Sequence, residues 1–278
     1  MKKKTLWIIS MFVIAALTYT IVSARAQKDN SIIFGGADSG FIQSDSVNFN
    51  AVEATPEPTV DIWPKLTLED FENNDCLALV NSQNLLSSIW VPKQGVSKIS
   101  GTKYMMFSTE YIDKLNAFLD AAREAGFEPY VAVAYREYTH QKTLYDSKAS
   151  QIAYNMTGGK TVPYTDPIYA EAAEQAKKIT AVPGGSEHQL GVAVDLLDRQ
   201  RNLPYVYENM NQDFFAFLDE HCAEYGFIKR YPTRKLLLTG WDEPWHYRYV
   251  GEEVAKFIME QGICYEEFYA HYHPDFVY

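Results

Sequence analysis

One helical face closes at Gly126 and a β-prone run opens at Pro129, and this close alternation of two periodicities limits the fold more than any other feature of the chain. Tyr111, Ile112, Leu115, Phe118, Leu119 and Ala122 recur at helical spacing behind Ser108-Thr109, a pair suited to cap a helix, and Gly126 ends the run. The segment Pro129–Tyr135 is apolar and β-prone, delivers Arg136 to its end, and leads into a helix expected through Tyr154. Asp166 before Pro167 starts a third helix that should fade near Ile179, because proline at the first helical position gives up a donor that had no partner. Gly184-Gly185 then turns, Gly191–Leu197 reads as a strand, Phe214 to Tyr225 as a helix stopped by Gly226, and Trp245–Tyr249 as the last strand. The β segments are short and lack regular βαβ spacing, which makes the fold class α+β.

The chain begins with Lys2, Lys3 and Lys4 followed by an uncharged run from Thr5 to Ala24, the pattern of an export signal or a membrane anchor. Residues 1–26 are therefore expected to be a signal peptide or N-terminal anchor, with the remainder extracytoplasmic. From Asp29 to Pro64 there is no Lys or Arg, and Gly, Ser, Asn and Asp are frequent, so residues 27–65 read as a flexible acidic linker. Residues 66–278 are long enough for one catalytic domain with one core. A net charge of −11 argues against nucleic-acid phosphates as partners, since these need a basic face. Cys76, Cys222 and Cys264 form no C-x-x-C spacing, allow at most one disulfide, and carry no assigned chemistry.

Two clusters hold the chemistry: Ser186 to Asp195 (SEHQLGVAVD) and Glu243 to Arg248 (EPWHYR). A hydrolytic zinc takes three nitrogen or oxygen ligands and leaves a fourth position open, and His188, Asp195 and His246 could supply that set. Gly191 and Ala193 would let the chain come close to the ion between the first two ligands. Glu243 lies beside the third and suits the base that takes a proton from an attacking water. On a regular strand residues 243 and 246 face opposite ways, but Pro244 interrupts regular pairing and would allow the glutamate to turn inward.

These motifs resemble the VanY-type D-alanyl-D-alanine carboxypeptidases of the zinc M15 peptidases (subfamily B), which share a hedgehog-like DD-peptidase fold, a small antiparallel sheet with flanking helices. The family patterns S-x-H-x-x-G-x-A-x-D and E-P-W-H-[WY]-R are matched at Ser186–Asp195 and Glu243–Arg248. A Y-R-x-x-x-x-Q element is matched at Tyr135-Arg136 and Gln141, and an L-V-N segment at Leu79-Val80-Asn81, so the likeness covers about Leu77 to Gly262. The departures are Ala134 and Glu137, where relatives often carry small or hydroxylated residues.

The resemblance implies one Zn²⁺ held by His188, Asp195 and His246, with Glu243 as base and Arg136 as the arginine that meets a substrate carboxylate or the oxyanion. It also implies that Ser186 and Gln141 complete the substrate pocket, and that the substrate is the D-alanine end of peptidoglycan stem peptides. The rivals are an L,D-carboxypeptidase or endopeptidase acting on the same polymer, or a non-catalytic zinc domain that binds the wall. His140, next to Gln141, could touch the pocket, and His271 and His273 read as an exposed tail.

Overall fold

The computed structural model describes residues 62–199 and 210–278, all within one compact unit, Val60–Tyr278. The expected signal or anchor at 1–26 and nearly all of the 27–65 linker lie outside the described residues. The elements, in chain order, are α1 (Leu68–Asn73), β1 (Val96–Lys98), β2 (Met106–Ser108), α2 (Ile112–Glu124), β3 (Pro129–Val133), α3 (Tyr138–Met156), α4 (Pro167–Ala176), β4 (Ala193–Asp198), α5 (Gln212–His221), β5 (Phe227–Tyr231), the short α6 (Leu236–Thr239), β6 (Glu243–Tyr249), α7 (Glu252–Gln261) and α8 (Tyr265–Tyr272). The fold is α+β: a four-stranded antiparallel sheet in the order β3-β4-β6-β5 and a separate β1-β2 ribbon, among helices.

Local chemistry accounts for several element ends. Asp166 accepts the Ile168 amide at 2.8 Å and Pro167 opens α4, as the sequence implies. Gly226 is left-handed at φ 82° and ends the turn that follows α5. Ser108-Thr109 does not cap α2, which begins instead behind Tyr111. Ser108 closes β2, and the Thr109 hydroxyl bonds Ser97 at 2.9 Å, so ribbon pairing outcompetes the capping role.

The main core lies where α2, α5, α7 and α8 meet the sheet, with Phe118, Leu115, Phe214, Phe227, Val194 and Phe268 fully buried. Burial of apolar surface on this scale is the dominant stabilising term. Helices α3 and α4 pack on each other around a small satellite core of Tyr145, Ala149, Ala153, Tyr169, Ala172 and Ala176. His271 is exposed as expected, but the segment is not a loose tail: His271 stacks on Trp63 at 3.8 Å and the half-buried His273 on Tyr269 at 3.7 Å, because α8 is drawn onto the aromatic core. All three cysteines are buried free thiols.

Candidate metal centre

The two central strands present the site. On β4 and β6, Ala193, Val194 and Asp195 directly oppose Arg248, Tyr247 and His246. Opposed residues share a face of the sheet, so Asp195 and His246 project together on one side. His188 arrives from a 3-10 turn, Glu187–Leu190, that immediately precedes β4. Gly191 ends that turn in the left-handed region at φ 72°, and a side chain there would meet Pro92 at 3.0 Å. Gly191 therefore reverses the chain between His188 and Asp195 and packs away from the ion site, rather than making room beside it as its spacing suggested. Ala193 opposes Arg248 across the ladder and lies on the same face of β4 as Asp195.

The three groups converge on a single point. His188 Nε2 lies 3.4 Å and His246 Nδ1 3.0 Å from the same oxygen, Asp195 Oδ1, and one donor atom from each residue falls within 4.8 Å of the others. All three are buried, and His188 Nδ1 has no hydrogen-bond partner. A mixed imidazole–carboxylate donor set of this size fits a divalent cation of the zinc type, which takes such ligands at about 2.0–2.2 Å. Burial disfavours the Asp195 carboxylate, but the neighbouring His188 and the bonds from His188 and His246 outweigh it and hold the group below the usual carboxylate range. Burial lowers His188, whereas the same burial at His246 is overcome by the bonds to Asp195 and Glu187, which push it up to about 9.

Glu243 reaches this centre through an irregularity in β6. Against β5, Lys229 opposes Tyr247 but Tyr231 opposes Glu243, so two steps on β5 span four on β6. The surplus lies between Glu243 and Tyr247, a stretch that includes Pro244 with no amide hydrogen for the ladder, and Glu243 shares the pocket with His246, their Oε2 and Nδ1 atoms 3.7 Å apart. Burial first, and then the charges of Asp195 and Glu187, raise the Glu243 carboxyl above its ordinary value against the opposing pull of His246 and Arg136.

Arg136 leaves the end of β3 and lines the same pocket, donating from Nη2 to Ser186 Oγ at 3.1 Å, while its backbone amide holds the His188 carbonyl at 3.1 Å. Ser186 also lines the pocket. Gln141 does not: it is wholly buried on α3 and donates to the Ala181 carbonyl at 2.6 Å, so it braces the pocket wall from behind. The reason is geometric, since the first turn of α3 points Gln141 into the protein while Ala181 takes the wall position. His140 is exposed and is not among the pocket residues. Asn81, from the upstream L-V-N segment, does line the pocket. Its cavity of about 190 Å³ adjoins a second of about 370 Å³ that shares Asn81, Ala181, Gly185, Thr239, Trp241 and Glu266.

A buried charge network that reaches the pocket wall at Glu187, Arg230 and Glu266 was not anticipated from the sequence. Glu187 Oε1 accepts from Arg230 Nε at 2.7 Å and Arg248 Nη1 at 2.5 Å, and Glu187 Oε2 lies 3.2 Å from His246 Nε2. Arg230 also grips Glu266 through two nitrogens, at 2.9 and 2.6 Å. Burial opposes the Glu187 charge, yet the two guanidiniums hold its carboxyl well below the usual range. The signal available in sequence was parity: Arg230 falls two residues after the buried Ile228 on a short strand, so an inward-facing arginine demands an inward-facing acid.

The chain is similar to proteins already known. The family described as VanY, D-alanyl-D-alanine carboxypeptidase, matches residues 105–252, more than half of the chain. A D-alanyl-D-alanine carboxypeptidase of Enterococcus faecalis (strain ATCC 700802 / V583) is 39% identical over 194 residues, covering 69% of this chain and 65% of the relative, so the chain spans just under two thirds of that protein. Solved structures are similar too, three of them as follows. One is a point mutant of the vancomycin resistance D,D-pentapeptidase VanY, from a VanB-type resistance cassette, in complex with Zn(II): TM-score 0.55, 35% identity, covering 70% of this chain and 99% of that one. VanYB in complex with D-alanine-D-alanine gives TM-score 0.56 and 35% identity, covering 70% and 97%. The LdcB LD-carboxypeptidase gives TM-score 0.57 and 29% identity, covering 70% and 85%.

Proposed function

The chain belongs to the VanY family of D-alanyl-D-alanine carboxypeptidases, zinc metallopeptidases of hedgehog-like fold, and from that premise we propose that it removes the terminal D-alanine from peptidoglycan stem peptides outside the cytoplasm. His188, Asp195 and His246 would hold the zinc, Glu243 would act as base, and Arg136 would bind the substrate. The observation that carries this reading is the convergence of His188 Nε2 and His246 Nδ1 on Asp195 Oδ1 with Glu243 beside them.

Zinc bound there supplies Lewis-acid polarisation of the scissile carbonyl and of the attacking water. Glu243 accepts the proton of that water and passes it to the leaving amine, a task suited to a carboxyl whose affinity for protons burial has raised. Arg136, oriented by Ser186, offers a fixed guanidinium to the negative oxygens of the substrate. Asn81 and Gly185 belong to both adjoining cavities, so a peptide whose cleaved end sits at the metal centre has room for its preceding residues in the larger one.

Residues 1–26 would place the enzyme on the wall side of the membrane as a signal or an anchor. Among the described residues no helix is long and apolar enough to cross a membrane. The likeness to LdcB supports one second reading, L,D-cleavage of tetrapeptide stems at the same centre. Mass spectrometry of pentapeptide and tetrapeptide stems incubated with the protein, with and without a chelator, tests both. Chelator-sensitive loss of one D-alanine from the pentapeptide alone is expected. Loss from the tetrapeptide would move the assignment to L,D-cleavage, and no cleavage by zinc-loaded protein would favour a wall-binding role.

A further inference from the structure

Glu187 touches a proposed metal ligand yet would not itself reach the metal. Its side chain has no exposure, and each oxygen has a separate task. Oε1 is clamped between Arg230 Nε and Arg248 Nη1, leaving Oε2 aimed at His246 Nε2 at 3.2 Å. The clamp is anchored on both sides: Arg230 is forked onto Glu266, and Arg248 Nη2 donates to the carbonyls of Cys76 and Ala78. The Tyr231 ring packs on the imidazole at 4.9 Å between centroids.

We propose that Glu187 is a positioning residue that fixes the tautomer of His246, so that Nε2 carries the hydrogen and Nδ1 presents its lone pair to the metal. A carboxylate can only accept, so the nitrogen facing it must donate. Without an ion both nitrogens face carboxylates and both carry hydrogen; a cation among Asp195, His188 and His246 displaces the hydrogen on Nδ1, and Glu187 keeps the one on Nε2. Such outer partners orient and polarise a metal-bound imidazole. Because Glu187 directly precedes His188, one 3-10 turn supplies both a ligand and the partner that aims a second ligand 58 positions along the chain. This inference rests on the reading that His188, Asp195 and His246 hold zinc.

The decisive variant is Glu187→Gln. The two arginines require an acceptor at the Oε1 position, so the amide nitrogen would take the Oε2 position and donate to Nε2, which transfers the ring hydrogen to the nitrogen needed by the metal. Chelator competition on the full chain should show zinc affinity falling about 10–100-fold. Glu266→Gln is the control: it breaks the fork on Arg230 without touching the Glu187–His246 contact, and should lower thermal stability while leaving zinc affinity within about twofold. Nitrogen NMR of the zinc-loaded wild-type protein should show His246 protonated at Nε2, a measurement that does not depend on any variant folding.

Wild-type-like zinc affinity in folded Glu187→Gln, equal weakening by both variants, or a His246 hydrogen on Nδ1 would each overturn the assignment. If His246→Ala abolishes zinc binding while Glu187→Gln does not, the metal site stands and only the positioning role falls. A wild-type protein that takes up no zinc overturns both.

Discussion

Asp195 and His246 oppose each other directly across the β4–β6 ladder, and a 3.0 Å contact joins Oδ1 of the first to Nδ1 of the second. Residues 51 positions apart are thus brought together by strand register, which makes two of the three proposed ligands a property of the sheet, while His188 comes from the turn before β4. The consequences can be measured one residue at a time.

Replacing His188 or His246 with alanine removes one of three converging donors. Each variant should fold and yet bind zinc far more weakly, read by metal analysis after dialysis. Full metal occupancy in both would exclude them as ligands.

Glu243→Ala should keep its zinc and lose about 10²–10⁴-fold in turnover, the usual contribution of a positioned acid–base group. Product release followed by mass spectrometry, alongside metal content, separates the two effects. Unchanged turnover would remove Glu243 as the base.

The stability of the zinc-free protein should depend on pH through Glu187. Its folded-state carboxyl lies well below the ordinary 4.5, so the stabilisation is complete above that value and is lost as pH falls below it toward the folded value. Glu243, whose carboxyl is raised, contributes with the opposite sign. Thermal unfolding across the acid range should show a drop below pH 4.5 that is shallower in Glu187→Gln. Equal slopes would contradict the linkage.

Gly191→Ala should destabilise the domain by about 1–2 kcal/mol, the left-handed penalty for an L-residue. The added carbon would also press on Pro92 at 3.0 Å. Denaturant unfolding measures the change, and an unaffected midpoint would show that the turn relaxes freely.

Much of this arrangement was legible in the sequence. Asp166-Pro167 and Gly226 mark element ends by backbone chemistry that acts locally, and both behave as read. Pro244 signalled the break in β6 because a residue without an amide hydrogen cannot complete a ladder. Ser108 could not be read as a strand residue, since its partner across the ribbon is Val96 and pairing is not visible in local spacing. Gln141 has the right spacing for the pocket but the wrong direction, which only the packing of α3 against Ala181 decides. Glu187 was hidden by its neighbours: between two motif residues it looks like a surface acid, and its partners Arg230 and Arg248 are 43 and 61 positions away.

The surplus between Glu243 and Tyr247 has a mechanical meaning as well. Because the break lets one short strand carry both Glu243 and His246 into the same cavity, the two groups ride on a common beam. Their 3.7 Å separation is spanned by three residue steps of a single strand rather than by contacts between distant elements.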